Sequence, residues 1–380
     1  MIHHDVADSP SAPPDDDALH ALRLDVRRFL QRCIRDGVFE PQLDGWLTGF
    51  SREFSKLLAE QGWVGMTIPK RYGGAGRSYV ERFVVAEELL AAGAPVTAHW
   101  ANERQFAPQL LRIGTEEQRQ RFLPAIARAE VVFVVGLSEP DSGSDLASIR
   151  CRAVPTDGGW LLSGQKIWTT AAHHGDYMIV LCRTSMEEDR HDGMSQLIVD
   201  LRAPGVEIRP IAGLNGEAEF CEVFFDDVFV PDADVLGDVG EGWRQALAEL
   251  NYERSGPDRY MSTFPLLTRY AASADLSDPH VAARVGDVIA QMASMRSLAL
   301  GVVEASEAGV DFGVDAALAK DAGTTFEQDS LDLLREAGLP ESDAVLRRLF
   351  DAATLAAPTF TLRGGTNEIL RTITAKELLA

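Results

Sequence analysis

Positive charge is scarce in this chain. It has 36 basic residues, only five of them lysine, against 58 acidic ones, and a formal net charge of −22. That balance excludes nucleic acid and anionic membrane surfaces as partners, because both require a positive face. An anionic ligand would need a local cluster of arginines. Cysteine is scarce too: Cys33, Cys151, Cys182 and Cys221 form no CxxC pair, which predicts buried thiols in a reducing compartment. No apolar run approaches the ~18 residues of a membrane span. The acidic, proline-rich start HHDVADSPSAPPDDDA reads as a disordered tail and not a signal peptide, so a cytoplasmic location is expected. Several chemical motifs are missing as well. GGAG and GDVGEG do not complete G-x-G-x-x-G, and there is neither a GxxxxGK[ST] loop nor a G-x-S-x-G elbow, which excludes a Rossmann nucleotide site and a hydrolase nucleophile. His173 and His174 are adjacent, and the Asp141–Gly143–Asp145 spacing would place Arg152 where a calcium loop needs glutamate. No metal is expected.

What is present falls into three regimes. At 380 residues the length suggests two or three domains at roughly 150 residues each. After a tail over residues 1–18, the stretch 19–134 is helical in period. Leu19, Leu22, Val26, Phe29, Leu30 and Cys33 recur at three- and four-residue steps, one face of an amphipathic helix. Ser78 with Glu81 and Thr115 with Gln118 form capping boxes. From 135 to 236 the period changes to two: Ile149, Cys151 and Ala153 alternate with Arg150 and Arg152, and TDGG (156–159) reads as a hairpin turn. This is an antiparallel β domain. From 237 to 380 the helical period returns, rich in alanine and leucine, as in a helix bundle. The fold class is α+β and multidomain.

Five motifs occur in one order across this chain: GLSEPDSGSDL (136–146), GQKIWTT (164–170), EVFFDDVFVP (222–231), NYERSG (251–256) and RGGTNEILR (363–371). Together they resemble the acyl-CoA dehydrogenase family of flavoenzymes over about residues 19–380. The resemblance implies a helical N-terminal domain, a middle antiparallel β-barrel, a C-terminal four-helix-bundle-like domain and FAD as cofactor. The implied reaction is α,β-dehydrogenation of an acyl-CoA thioester to the 2-enoyl-CoA. A carboxylate takes the α-proton while hydride passes to flavin N5, and electrons then leave to an electron-transfer flavoprotein.

Residue roles follow from the same resemblance. Leu137 and Ser138 fall where the family touches the flavin ring. Gly143 and Ser144 fall where flavin and thioester meet, so Ser144 is expected at both ligands. Trp168 and Thr170 match residues that cover one flavin face, and Thr366, followed by Glu368, matches the opening of the last helix beside the cofactor. One branch of the family carries its base just before the GT of the C-terminal motif, but here that position is Gly364. A second branch carries it in an ER pair at the start of the C-terminal domain, which designates Glu253 as catalytic base. Arg254 and Gly364 are then expected on the substrate side, Gly364 through its N–H. AHWANERQF (98–106) lies where family members line the acyl pocket.

Two departures bear on assembly. The family's R-x-x-F-G segment, which reaches a neighbouring subunit's FAD, is replaced by ASADLSDPHVAARVGD, and a downstream glycine-rich motif by LREAGLPES (334–342). A similar loss occurs in actinobacterial dehydrogenases of sterol breakdown that work as α2β2 heterotetramers. The expected partner is therefore a homologous dehydrogenase subunit, or a second copy of the chain. Two alternatives stand beside this reading: an acyl-CoA oxidase, and a non-catalytic FAD- or CoA-binding subunit.

Overall fold

The helical spacing at the start of the chain builds α1 (Asp16–Arg35), which buries Val26, Phe29, Leu30 and Cys33. The structure is a computed structural model and describes residues 14–254, 256–340 and 342–379. Asp15 caps α1 by accepting from the Ala18 N–H at 2.9 Å, and Asp16 and Asp17 occupy its first turn, where carboxylates suit the helix dipole. The helix thus takes residues 16–18 from the expected tail; residues 1–13 of that tail lie outside the described residues. α2 (Arg52–Glu60), α3 (Tyr79–Ala91), α4 (Thr97–Ala101), α5 (Ala107–Ile113) and α6 (Glu116–Ala127) follow. Both capping boxes are formed, at α3 and α6. A π-helical turn, Asn102–Phe106, joins α4 to α5, inside AHWANERQF.

The strands are β1 (Phe133–Gly136), β2 (Arg152–Thr156), β3 (Gly159–Thr170), β4 (Tyr177–Arg183), β5 (Met194–Asp200), β6 (Val206–Ile211), β7 (Phe220–Pro231) and β8 (Val235–Leu236). They form one sheet in the order β6-β7-β3-β2-β4-β5-β8, with β1 on β4. Most pairings are antiparallel, and TDGG closes the β2–β3 hairpin. β1 pairs with β4 in parallel, and β2 touches β4 in parallel at Arg152 and Arg183, so the sheet is mixed at that point. The helices α7 (Gly242–Arg254), α8 (Phe264–Ser273), α9 (Pro279–Glu307), α10 (Gly313–Ala337), α11 (Ala344–Phe360) and α12 (Asn367–Leu378) complete the chain.

α9 stands apart from the other described helices. By length and composition it is apolar enough to cross a membrane, with a mean hydropathy of 1.2 over its best window. No continuous apolar run announces it. Alanine, valine and methionine raise the average between Arg284, Asp287, Arg296 and Glu304. It packs against α3 and α10, and Arg296 reaches Glu87 of α3 at 2.7 Å.

The chain forms two compact units whose membership does not follow sequence order. Among the described residues, one holds Ser51–Gly76 and Thr97–Leu250; the other holds 14–50, Arg77–Val96 and the described part of 251–379. The first unit packs α5 and α6 on the sheet. Phe106, Leu110, Phe122 and Ile126 meet Phe133, Ile179, Ile198 and Leu236, and Phe122 stands edge-on to Phe133 at 5.1 Å. In the second unit α1 joins α3 because Glu87 and Glu88, both buried, accept from Arg23, and Glu88 also from Arg27.

Buried charge shapes the rest of the second unit. Lys320 on α10 is fully buried and donates to the carbonyls of Thr361 (3.1 Å) and Gly365 (2.8 Å) and to Asn367 Oδ1 (2.7 Å). Those three bonds fix the loop before α12, and burial pushes the ammonium down to about 7. Glu327, two turns further along α10, accepts from the Ser262 N–H at 2.6 Å. Burial raises its carboxyl to about 8. Between the ordinary carboxyl range and pH 8 the unfolded chain releases this proton while the folded chain keeps it, so stability falls as pH rises through that window. Glu327→Gln keeps an acceptor for Ser262 and removes the titration. Its melting temperature relative to the parent should rise by at least ~2 °C between pH 5 and pH 8, followed by circular dichroism. A difference that stays constant over that range would reject the argument.

Candidate active site

Each compact unit carries one set of the expected site residues. In the first unit, the polar loop between β1 and β2 is held from beneath by a buried ion pair. Lys166 of β3 is 0% exposed and its ammonium lies 2.7 Å from Glu139 Oε1; it also donates to the Leu137 carbonyl at 2.8 Å. Glu139 accepts in addition from the N–H groups of Arg150 (2.6 Å) and Cys151 (2.9 Å). Glu139 and Ser142 exchange backbone bonds, and the Ser142 hydroxyl donates to the Asp145 carbonyl at 2.7 Å. A buried pair broken on one side costs about 3–5 kcal/mol, so this anchorage is firm. The loop's polarity thus has two destinations: Glu139 and Ser142 turn inward, while Gly143 and Ser144 are exposed.

Gly143 is informative because nothing in the chain demands it. A Cβ there would meet no atom within 4 Å, and its φ is not positive. The open space beside it suits a ligand. Trp168 points the same way. It sits at a β-bulge between Lys166 and Thr169, takes a left-handed φ of 60° and leaves its ring 57% exposed. Such a conformation costs about 1–3 kcal/mol, and an exposed indole recovers little of it by burial. Phe220 supports one edge of the ring at 6.0 Å. The Ile167 N–H donates to the Ser138 carbonyl at 3.0 Å, so Leu137, Ser138 and Trp168 are brought together along β3. Thr170 is half-buried at the end of that strand, and its neighbour Thr169 buries a hydroxyl without a partner among the described residues. These residues fit a flat, polar-edged ring system: an open glycine loop, an exposed aromatic face and a spare hydroxyl.

The second unit holds the residues expected on the substrate side. Glu253 lies in the last turn of α7 with its side chain 17% exposed, so it is not a solvated surface carboxylate. Arg259 donates to Glu253 Oε1 at 2.9 Å and to the Glu253 carbonyl at 3.0 Å. Arg254 donates through Nε to the Gly364 carbonyl at 2.9 Å. Gly364 has φ +65°, and a Cβ there would stand 3.1 Å from Glu253 Oε1 and 3.4 Å from its Cδ. The structure therefore brings Glu253, Arg254 and Gly364 into one cluster. Thr366 caps α12 and accepts from the Ile369 N–H at 3.4 Å. Glu368 is exposed in the first turn, its carboxyl held below the ordinary range by its own N–H and by the Thr366 hydroxyl.

Sequence reasoning missed four residues here. Arg363 donates to Asp44 Oδ2 at 2.6 Å, and two guanidinium groups lie against Trp46, Arg363 at 4.5 Å and Arg259 at 5.0 Å from its ring centre. Arg363 and Arg259 stand inside or beside quoted motifs, which was the available signal. Asp44 and Trp46 are more than 200 residues away and gave none.

A helix–sheet–helix chain with an exposed aromatic and glycine loop on its sheet, and a sheltered carboxylate on a helix end, is the architecture of a flavin-dependent oxidoreductase acting on a C–H bond. The acyl-CoA dehydrogenase N-terminal, middle and C-terminal domain families match residues 16–130, 134–228 and 240–379. This chain belongs to the acyl-CoA dehydrogenase family, and its cofactor is FAD. It is 36% identical to acyl-CoA dehydrogenase IpdE1 of Mycobacterium tuberculosis, over 86% of this chain and 87% of that protein. It is 37% identical to acyl-CoA dehydrogenase FadE34 of the same organism over 85% of this chain, which spans only 45% of FadE34. Among solved structures, the Tcur3481–Tcur3483 steroid ACAD superposes with a TM-score of 0.84 at 30% identity, covering 97% of this chain and 99% of that one. The ChsE4–ChsE5 complex from Mycobacterium tuberculosis gives 0.81 at 28%, covering 97% and 98%.

The contact at Gly364 generates a prediction. Gly364→Ala adds a methyl group against the Glu253 carboxylate at a left-handed position, which strains the backbone by about 1 kcal/mol or more. Flavin reduction by acyl-CoA should slow at least tenfold while FAD content is unchanged, as read by stopped-flow absorbance and the bound-flavin spectrum. A wild-type rate would show that the space at Gly364 is not needed.

Proposed function

We propose that Glu253 is the catalytic base of this acyl-CoA dehydrogenase and that the chain is the catalytic subunit of a mixed oligomer. The observation that carries the first part is the cluster itself: a sheltered carboxylate packed against the glycine that replaces the other branch's base. Glu253 takes the α-proton of the acyl thioester onto its carboxylate, in surroundings that water reaches only partly. FAD, when bound, supplies the acceptor for the β-hydrogen and its electron pair. Ser138, Gly143, Ser144, Trp168 and Thr170, with Leu137, Thr366 and Glu368, hold the cofactor in this reading. Arg254 fixes the Gly364 carbonyl, and the Gly364 N–H is the donor proposed for the thioester oxygen. The electron acceptor is read as an electron-transfer flavoprotein; turnover with oxygen in place of a dye acceptor would make the chain an oxidase instead. A cytoplasmic location belongs to the same reading.

Glu253→Gln should retain FAD and bind acyl-CoA, yet lose flavin bleaching by at least ~10²–10⁴-fold. Bleaching at a near-normal rate would remove Glu253 from the mechanism and revive the non-catalytic subunit. Adding Gly364→Glu to that variant should not restore the full rate, because the two side chains compete for one space. Full restoration would show the positions to be interchangeable.

Three observations support the mixed oligomer and a bulky, steroid-derived acyl group. The similar structures include the Tcur3481–Tcur3483 steroid ACAD and the ChsE4–ChsE5 complex. The chain lacks the cross-subunit arginine motif. The helices of the second unit also leave apolar side chains uncovered, Ile289 and Leu298 on α9 and Leu355 on α11, at 62, 38 and 42% exposure, as subunit faces do. Purified alone, the chain should hold little FAD, and with a homologous partner it should form a tetramer with two FAD, measured by flavin absorbance against subunit mass. Four FAD in a tetramer of this chain alone would overturn the assembly.

A further inference from the structure

We propose that Arg259 is the positioning residue of the base, fixing the Glu253 carboxylate in the orientation from which it takes the α-proton. The inference rests on the reading of Glu253 as base, and its test separates the two. Arg259 lies in the short turn Pro257–Arg259 that follows α7. Its Nη2 donates both to the carbonyl and to the carboxylate of the same residue, Glu253. A glutamate on a helix end otherwise turns about three side-chain bonds. One planar donor joined to its main chain and its tip removes most of that freedom.

Arg259 is itself held through its ring-facing plane and its Nε. It is 1% exposed, stacks on Trp46 and pairs through Nε with Asp258 at 3.0 Å. Burial disfavours its charge, but Asp258 and Glu253 outweigh that and keep the guanidinium firmly protonated. Arg363 presses on Trp46 and is anchored by Asp44, so Arg259 inherits a rigid backing. Its remaining nitrogen, Nη1, is buried without a partner among the described residues. That nitrogen lies 3.5 Å from where a Cβ on Gly364 would stand. A buried donor left open beside a reacting carboxylate is costly unless it meets an acceptor at some stage. A purely structural role, closing the end of α7 through the Glu253 carbonyl, would need neither the bond to the carboxylate nor the open donor.

The test reads proton abstraction without electron transfer. The FAD-loaded protein, with its partner subunit if one is needed to hold FAD, is mixed in D2O with 3,3-dimethylbutanoyl-CoA. This thioester has α-protons but no β-hydrogen and so cannot be oxidised. Loss of the α-proton NMR signal gives the exchange rate, and the flavin's spectral change gives the dissociation constant. Arg259→Met should slow exchange at saturation about 10²-fold, the size expected for a misplaced group, with binding unchanged. Arg259→Lys, which keeps the charge but not the fork, should fall between, about tenfold slow. Wild-type exchange in both variants, or slowing that comes only from weaker binding, overturns the proposal. If the methionine variant does not fold, the lysine variant decides alone by the same criterion. Glu253→Gln serves as the second arm. Wild-type exchange there sinks the base itself, whereas loss of exchange in Glu253→Gln with wild-type exchange in the Arg259 variants sinks only the positioning role.

Discussion

A carboxylate at the C-terminal end of a helix works against the helix. The last turn of α7 carries the negative end of the dipole and unpaired carbonyls, and Glu253 adds a negative side chain there. Arg259 answers both by donating to the Glu253 carbonyl and to its carboxylate. Everything else in the cluster follows from keeping that guanidinium in place. Trp46 gives it a flat surface, Asp258 a counter-charge, and Arg363, paired with Asp44, packs on the same tryptophan.

The same constraint explains the glycines of RGGT. With the carboxylate arriving from α7, the space beside residue 364 is taken, and a Cβ would press on it at 3.1 Å. Gly365 is equally confined, since a Cβ there would stand 3.1 Å from Arg254 Nη2. Both residues also have positive φ, which only glycine adopts freely. Lys320 then closes the loop from below by collecting the Thr361 and Gly365 carbonyls. A glycine at 364 and a carboxylate at 253 are thus two sides of one packing arrangement, because a side chain at 364 would press on the Glu253 carboxylate.

How much of this could be read from the letters depended on distance along the chain. Local features were legible: the buried face of α1, the capping boxes at Ser78 and Thr115, the TDGG hairpin and the Thr366 cap. Each is set by neighbours within four residues. The parallel pairing of β1 with β4 was not, because strand partners 44 residues apart leave no periodic mark. The left-handed Trp168 was hidden as well, since a tryptophan in a strand-like run normally reads as core. Candidate site residues were found through motif order, but what holds them was not. Glu139 and Lys166 both stood in quoted motifs without any sign that they meet, and the Asp44–Arg363 pair joins residues 319 apart. The grouping of α1 and α3 with the C-terminal helices rests on Arg23, Arg27 and Arg296 finding Glu87 and Glu88, which composition cannot show.

The scarcity of positive charge takes on a different meaning once the cations are located. Of five lysines, Lys166 and Lys320 are fully buried, one beneath the glycine–serine loop and the other beneath the RGGT loop. Arg259 and Arg254 are buried too, directed at Glu253 and at the Gly364 carbonyl. A buried cation is expensive unless paired, and the bonds of these four fix the loops that carry the candidate site residues. Each of these four already serves a carboxylate or a carbonyl. Drawing one of them toward a phosphate would strip an anchor from the site it supports. The negative charge of a bound dinucleotide must therefore be met by groups outside these clusters, and the arginine motif that meets it elsewhere in the family is the one this sequence has lost.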